Sequence, residues 1–325
     1  MTLHSRQYMI NEKIITRVLL FLIVADFVMS IIGNSGIYTR KYDHEYFSEI
    51  YSGSQYVLGP ASTRSIGDDG LYPFAGYYYI TGGDPSQVNF ENPTLGKYLI
   101  GFSAYVLGNE NLIYVFYAVV VLFTILLLAR RVFKSTMVAL VTVLLLEVSP
   151  FFKLQFIPTS PEQLSIALLD LPLLVFFCAG IYFFLEAFKK PKLYWVSSLF
   201  LACTFVTKFF PALVLLIPVL GAYLFYKKQP MKVWFFSLVT IPFVYMLSYA
   251  AYFYYHPSFI EFLRYQKWII DWRLGNPFVV GNIFRTIFTG RYQNWWDGGT
   301  VVDTEWTFYF AFVVIAGMCG GIVAF

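Results

Sequence analysis

Asp68 and Asp69 stand side by side between Gly67 and Gly70, directly ahead of the aromatic run LYPFAGYYYI. Two neighbouring carboxylates repel one another when both are charged, which raises one pKa and suits it to proton transfer. The aromatic run predicts a helix beginning at the pair, where exposed backbone N–H groups favour anions. The next stretch, TGGDPSQVNFENPTLGKYLIG, is turn-rich and polar, with Gly82-Gly83, Asp84-Pro85, Asn92-Pro93 and a lone Lys97. Elsewhere Asp26, Glu147, Asp170 and Lys208 interrupt strongly apolar sequence. Ionisable groups in such surroundings are costly, so they are functional suspects by default. For Glu147 and Lys208 an ion pair between spans reads as well as catalysis, and Asp26 reads equally as a packing hydrogen bond.

The remaining reactive types say less. Glu45, Glu49 and Glu91 read as ordinary solvated charges in the same polar region as the aspartate pair. Cys178, Cys203 and Cys319 all fall in apolar segments, so no disulfide framework is suggested. Of His4, His44 and His256, only His256 is placed to meet a metal from outside. One histidine among scattered acids is not a metal signature, and neither a metal nor a cofactor is expected.

The elements that must hold these residues are membrane helices. Of 325 residues 58% are hydrophobic and 13% are charged, against roughly 25% charged in soluble domains, and the mean hydropathy is +0.62. An all-α polytopic membrane protein follows, organised as one transmembrane domain over 1–325. Apolar runs at 16–35, 111–129, 135–150, 164–186, 193–208, 211–226, 231–253 and 306–325 predict eight spans. Pro211 beside Lys208 favours a break between the fifth and sixth. The junctions ARRVFK, KKPK and KKQPMK carry nine basic residues and no acid, which places all three in the cytoplasm. That phase leaves two long extracytoplasmic regions, 36–110 and 254–305, and puts the chemistry on the outer face of the cytoplasmic membrane. Positive-inside bias already explains the net charge of +4, so nucleic-acid binding has no support.

Within the first outer region, the segment opened by Asp68 can lie as an amphipathic helix in the headgroup layer, beside a second one from about Leu95 to Leu107. The second is too short to span. Together they predict a polar crevice at the membrane surface with carboxylates at its mouth.

This passage resembles the first outer loop of the GT-C glycosyltransferase superfamily, in particular the branch using polyprenyl-phosphate sugars. That branch includes protein O-mannosyltransferases and aminoarabinose transferases. Members typically show an Asp-Glu pair after the first span, where Asp68-Asp69 stands here, and then a His-Pro-Pro-Leu-Gly-Lys motif, which NPTLGK (Asn92 to Lys97) matches. Asn92 and Thr94 depart from that motif, and Asp69 is shorter than the usual glutamate. LLDLPLLVFF at 168–177, TKFFPAL at 207–213 and TGRYQNWWDGGTVVDTEWTF at 289–308 extend the likeness over nearly the whole chain. Family members usually continue with further spans, so a short form or an incomplete C-terminal portion is expected.

The resemblance implies a GT-C-like transmembrane helix bundle that moves a sugar from a dolichyl- or undecaprenyl-phosphate donor to a protein or lipid-linked glycan acceptor. Either Asp68 or Asp69 would be the general base. Lys97, Arg264 and Arg291 are candidate cations for the leaving phosphate, although basic residues at a membrane surface also simply meet lipid headgroups. Asn92 and Asp170 would contact or position substrate. Trp295 and Trp296, beside Arg291, would serve a sugar face or an interfacial aromatic belt. A catalytically inactive scaffold or partner subunit is the main rival reading. A transporter is a weaker one, because no internal repeat is visible. The particular sugar, the acceptor and the oligomeric state are not encoded in any of these residues.

Overall fold

A computed structural model describes residues 3–160, 163–208, 211–275, 281–294, 298–303 and 306–324. The chain divides into two compact units, Met1–Pro257 and Ser258–Phe325.

The first unit is helical throughout. It opens with the long α1 (Leu3–Gly33), whose apolar stretch is almost wholly uncovered, followed by four short elements of the first loop. These are α2 (Ser35–Thr39), α3 (His44–Ser52), α4 (Gln55–Leu58) and a 3-10 turn at Gly59–Ala61. Then come α5 (Asp68–Ile80), α6 (Leu95–Val106), α7 (Leu112–Phe133), α8 (Thr136–Glu147) and α9 (Pro150–Lys153). The unit continues through α10 (Asp170–Glu186), α11 (Leu193–Thr207), α12 (Pro211–Tyr226), α13 (Met231–Ser237), α14 (Thr240–Ser248) and α15 (Ala250–Tyr255).

Helix α7 shows how the pattern becomes packing. Tyr114, Tyr117, Ala118, Val121 and Leu122 recur at helical spacing and are buried, whereas Phe116, Val119 and Phe123 on the other side are exposed. The buried face joins Leu169, Leu171 and Val175 of the α10 region and Leu140 and Val143 of α8 in one apolar core. A second core gathers Phe184, Tyr194, Leu201, Leu220 and Trp234 from α10 to α13. The exposed apolar side chains are far too numerous for a water-facing surface and suit hydrocarbon. Among the described residues, three stretches, Glu12–Gly33, Leu112–Phe133 and Met231–Ser248, are long and apolar enough to cross a membrane. The chain is thus a largely helical, membrane-associated protein.

Helices α5 and α6 cross at two glycines. A Cβ on Gly101 would sit 2.0 Å from the Gly76 carbonyl oxygen, and one on Gly76 would sit 2.4 Å from that of Lys97. Only bare backbones approach this closely. Helix α5 is largely enclosed by protein and is not the half-exposed amphipathic helix its sequence suggests. Residues Gly70 to Gly76 are all buried, because α6 covers one side and α3 another, with Phe47 and Phe74 in a shared cluster. Helix α6 does keep one apolar side uncovered, at Phe102, Tyr105 and Val106.

The second unit contains α16 (Phe259–Leu274), α17 (Asn282–Thr289), a hairpin of β1 (Arg291–Gln293) with β2 (Thr300–Val302), and α18 (Phe308–Ala324). Arg291 pairs with Val302 in the antiparallel register. The Asn282 side chain closes the α17 end of the hairpin by accepting from Gln293 N (2.9 Å) and donating to its carbonyl (3.1 Å).

Candidate active site

The aspartate pair opens α5, and the two carboxylates face different surroundings. Asp69 Oδ2 accepts from the backbone N–H of Leu164 at 3.0 Å. The carbonyl of the same residue accepts from the Arg40 guanidinium, which also pairs with buried Glu110 at 2.9 Å. Two charged groups therefore pin the segment before α10 to the first loop. Gly67 permits this arrangement, since a Cβ there would lie 2.7 Å from Asp69 Oδ1.

Asp68 is exposed to solvent. Its Oδ2 accepts from the Tyr72 hydroxyl, one helical turn on, at 2.8 Å. The Tyr72 oxygen in turn accepts from the Asn92 side-chain amide at 3.2 Å. Tyr72 and Asn92 are both buried, so the chain of hydrogen bonds runs outward from the interior to an accessible carboxylate.

A second charged pair lies within electrostatic reach of Asp68. Asp170, the first residue of α10, accepts from Lys208 Nζ at 2.8 Å. Lys208 follows the last turn of α11 in extended backbone, and both side chains of the pair remain accessible. Crowding by surrounding protein raises the Asp68 pKa, opposed by the Tyr72 hydrogen bond and the Lys208 charge, with Asp170 and Asp69 adding to the rise. The result is an accessible carboxyl group retuned upward within the field of a half-buried cation.

Lys97 lies elsewhere. It is fully buried, its ammonium donates to the carbonyls of Asn89 and Asn92 (2.7 Å for the latter), and it sits 5.2 Å from the centre of the Tyr79 ring. It therefore fastens the loop that carries Asn92. Arg264 and Arg291 belong to the second unit, where both are exposed. Trp295 and Trp296 lie outside the described residues.

The structure thus brings together Asp68, Asp69, Asn92 and Asp170, and adds three partners that sequence reading passed over. Tyr72 was detectable, four residues after Asp68 on an expected helix. Arg40 and Glu110 were not, because their task depends on chain 124 and 70 residues away from Arg40. The expected ion pair between Glu147 and Lys208 does not form. Lys208 pairs with Asp170, while Glu147 is buried beside Asp26, which pairs with Lys153 at 2.7 Å. The short α9 after α8 brings Lys153 to these acids. His256 faces Asp84 at 2.8 Å, and Asp84 also accepts from the Ser86 hydroxyl at 2.8 Å. This cluster ties the end of α15 to the loop after α5.

No curated protein and no solved structure matches the chain. A family model described as dolichyl-phosphate-mannose-protein mannosyltransferase matches residues 91–256. The match begins just ahead of Asn92, takes in Lys97, Asp170 and Lys208, and leaves the aspartate pair upstream. It spans half the chain and shows that the protein belongs to this family of GT-C membrane glycosyltransferases, which depend on polyprenyl-phosphate sugars.

Proposed function

We propose that the protein transfers a sugar from a polyprenyl-phosphate-linked donor to a hydroxyl or amine of a protein or lipid-linked glycan, on the extracytoplasmic face, with Asp68 as general base. The observation that carries this reading is the accessible Asp68 carboxylate, held by Tyr72 and lying within the field of the Lys208–Asp170 pair. As the acceptor's oxygen or nitrogen bonds to the anomeric carbon, its proton passes to Asp68. The bond from that carbon to the phosphate oxygen breaks, and the polyprenyl phosphate departs with the electron pair. Lys208 supplies positive charge where the departing phosphate gains negative charge. Asp170 holds Lys208 in place until the phosphate arrives. Arg264 and Arg291, exposed on the second unit, are further candidates for phosphate contact.

Asp69 has a different role in this proposal: it anchors Leu164 and shapes the site without taking the proton. D68N should lower transfer by about 100-fold or more, the usual scale for losing a general base, with thermal unfolding unchanged. E49Q should leave transfer intact, since Glu49 pairs with Arg64 on the exposed side of the loop. The assay offers purified protein in nanodiscs a lipid-linked sugar and, separately, a nucleotide sugar. Turnover of only the lipid-linked donor is expected. Full activity in D68N would remove the proposed base, and efficient use of a nucleotide sugar would overturn the donor assignment.

A further inference from the structure

We infer that Asn92 and Tyr72 form a directional hydrogen-bond relay that commits one oxygen of Asp68 and leaves the other for the acceptor, making both of them positioning residues. The inference rests on the reading of Asp68 as the base. A phenol has one proton to donate. Because the Asn92 amide donates to the Tyr72 oxygen at 3.2 Å, that proton is directed to Asp68 Oδ2, which it meets at 2.8 Å. Both partners are held inside the protein, Tyr72 being 2% and Asn92 8% exposed. Lys97 holds the Asn92 carbonyl at 2.7 Å and so fixes the backbone from which the amide points.

Two consequences follow. The Tyr72 hydroxyl remains protonated, because burial and the Asp68 charge both raise its pKa. An asparagine amide does not ionise, so the direction of the relay is the same at every working pH. Oδ2 therefore always carries a donated hydrogen bond, which favours the ionised carboxylate, and Oδ1 is the oxygen that takes the acceptor's proton. Asn92 serves here as the source of that direction and not as a contact to the sugar.

The test is the pH dependence of kcat/KM with a lipid-linked donor. Activity requires Asp68 ionised, so the acidic limb follows its pKa. Y72F removes the donor to Oδ2, which should move the limb to higher pH. Activity should then fall about 3- to 10-fold on the acidic side and return to within about twofold of the unmodified protein on the alkaline plateau. N92D keeps the shape but accepts where asparagine donates, drawing the Tyr72 proton away, and should move the limb in the same direction. N92L, which is neutral, should move it less but likewise upward, and it tests the relay even if Y72F does not fold. A uniform loss at every pH in Y72F, or limbs unmoved in both N92D and N92L, would overturn the relay. So would a shift in N92D alone, which charge by itself explains. D68N separates the two layers: full activity there defeats the base assignment, whereas its loss with an unmoved limb in Y72F defeats only the relay.

Discussion

Lys97 stands in a polar stretch and Lys208 in apolar sequence, and the fold gives them situations opposite to those surroundings. Lys97 is fully buried and bonded to two loop carbonyls, while Lys208 is accessible beside Asp170. K97M should therefore act through stability. Stranding buried carbonyls costs about 1–3 kcal/mol each, so the thermal unfolding midpoint should fall and activity should fall with it. K208M should leave the midpoint nearly unchanged and raise KM for the lipid-linked donor. Unfolding curves and donor titrations on the two variants decide the matter; equal midpoints with a donor defect confined to K97M would reverse the assignment. At this scale the sequence shows which residues are reactive, because the Asp68-Asp69 pair and the lysines stand out from their surroundings. It does not show their division of labour. Asp69 is occupied by the Leu164 N–H, 95 residues on, and no local pattern reports such a partner.

The elements were legible wherever burial followed one period. Helix α7, with its uncharged stretch and its basic last turn, is apparent from hydropathy. The break between α11 and α12 lies where Lys208 and Pro211 suggest it. Helix α5 was less legible. Its glycines and aromatics read as an interfacial surface, whereas they are an interior that α3 and α6 enclose. The hairpin of the second unit was hidden as well, because its strands are only three residues each. The crossing of α5 and α6 carries the site, since it sets the start of α5 above the loop that holds Asn92. G101A should break it. The added methyl would meet the Gly76 carbonyl at 2.0 Å, and backbone cannot yield as a side-chain tip does. Overpacking of this kind typically costs about 1–3 kcal/mol, occasionally more. G108A, where nothing lies within 4 Å but φ is +69°, measures backbone strain without a clash. Thermal unfolding of both in detergent is the check, and a midpoint for G101A equal to the unmodified one would show that the crossing yields.

At the scale of the whole molecule, the proposal needs Asp68, Asn92 and Lys208 outside and the basic junctions inside. Arg130, Arg131, Lys134, Lys189, Lys190, Lys192, Lys227, Lys228 and Lys232 all lie at or beyond helix ends, and the Arg131–Glu186 pair at 3.3 Å brings the basic ends of α7 and α10 together. The proposal follows positive-inside bias in taking these ends as cytoplasmic. The opposite ends of the same helices lead to Asn111, Asp170 and Lys208, which are residues of the site or its surroundings. Charge and site thus occupy opposite ends of α7, α10 and α11, and fixing the side of one fixes the other. Several apolar helices are short for a span: Thr136–Glu147 has 12 residues, roughly 18 Å at 1.5 Å per residue, so orientation is better tested than inferred from length. Single cysteines at Gln87, Thr300 and Gln229, in a chain whose Cys178, Cys203 and Cys319 are replaced by serine, provide the test. Gln87 and Thr300 are exposed; Q87C gives up the long hydrogen bonds from the Gln87 amide to Asp84 (3.5 Å) and Ser86 (3.4 Å) but keeps the closer Ser86–Asp84 and Asp84–His256 contacts. In right-side-out vesicles a membrane-impermeant maleimide should label Q87C and T300C, and should reach Q229C only after permeabilisation. Labelling of Q229C in sealed vesicles together with protection of Q87C would put the aspartate in the cytoplasm. The lipid-linked donor would then have to present its sugar on that side, and an outer-face transferase would no longer be tenable.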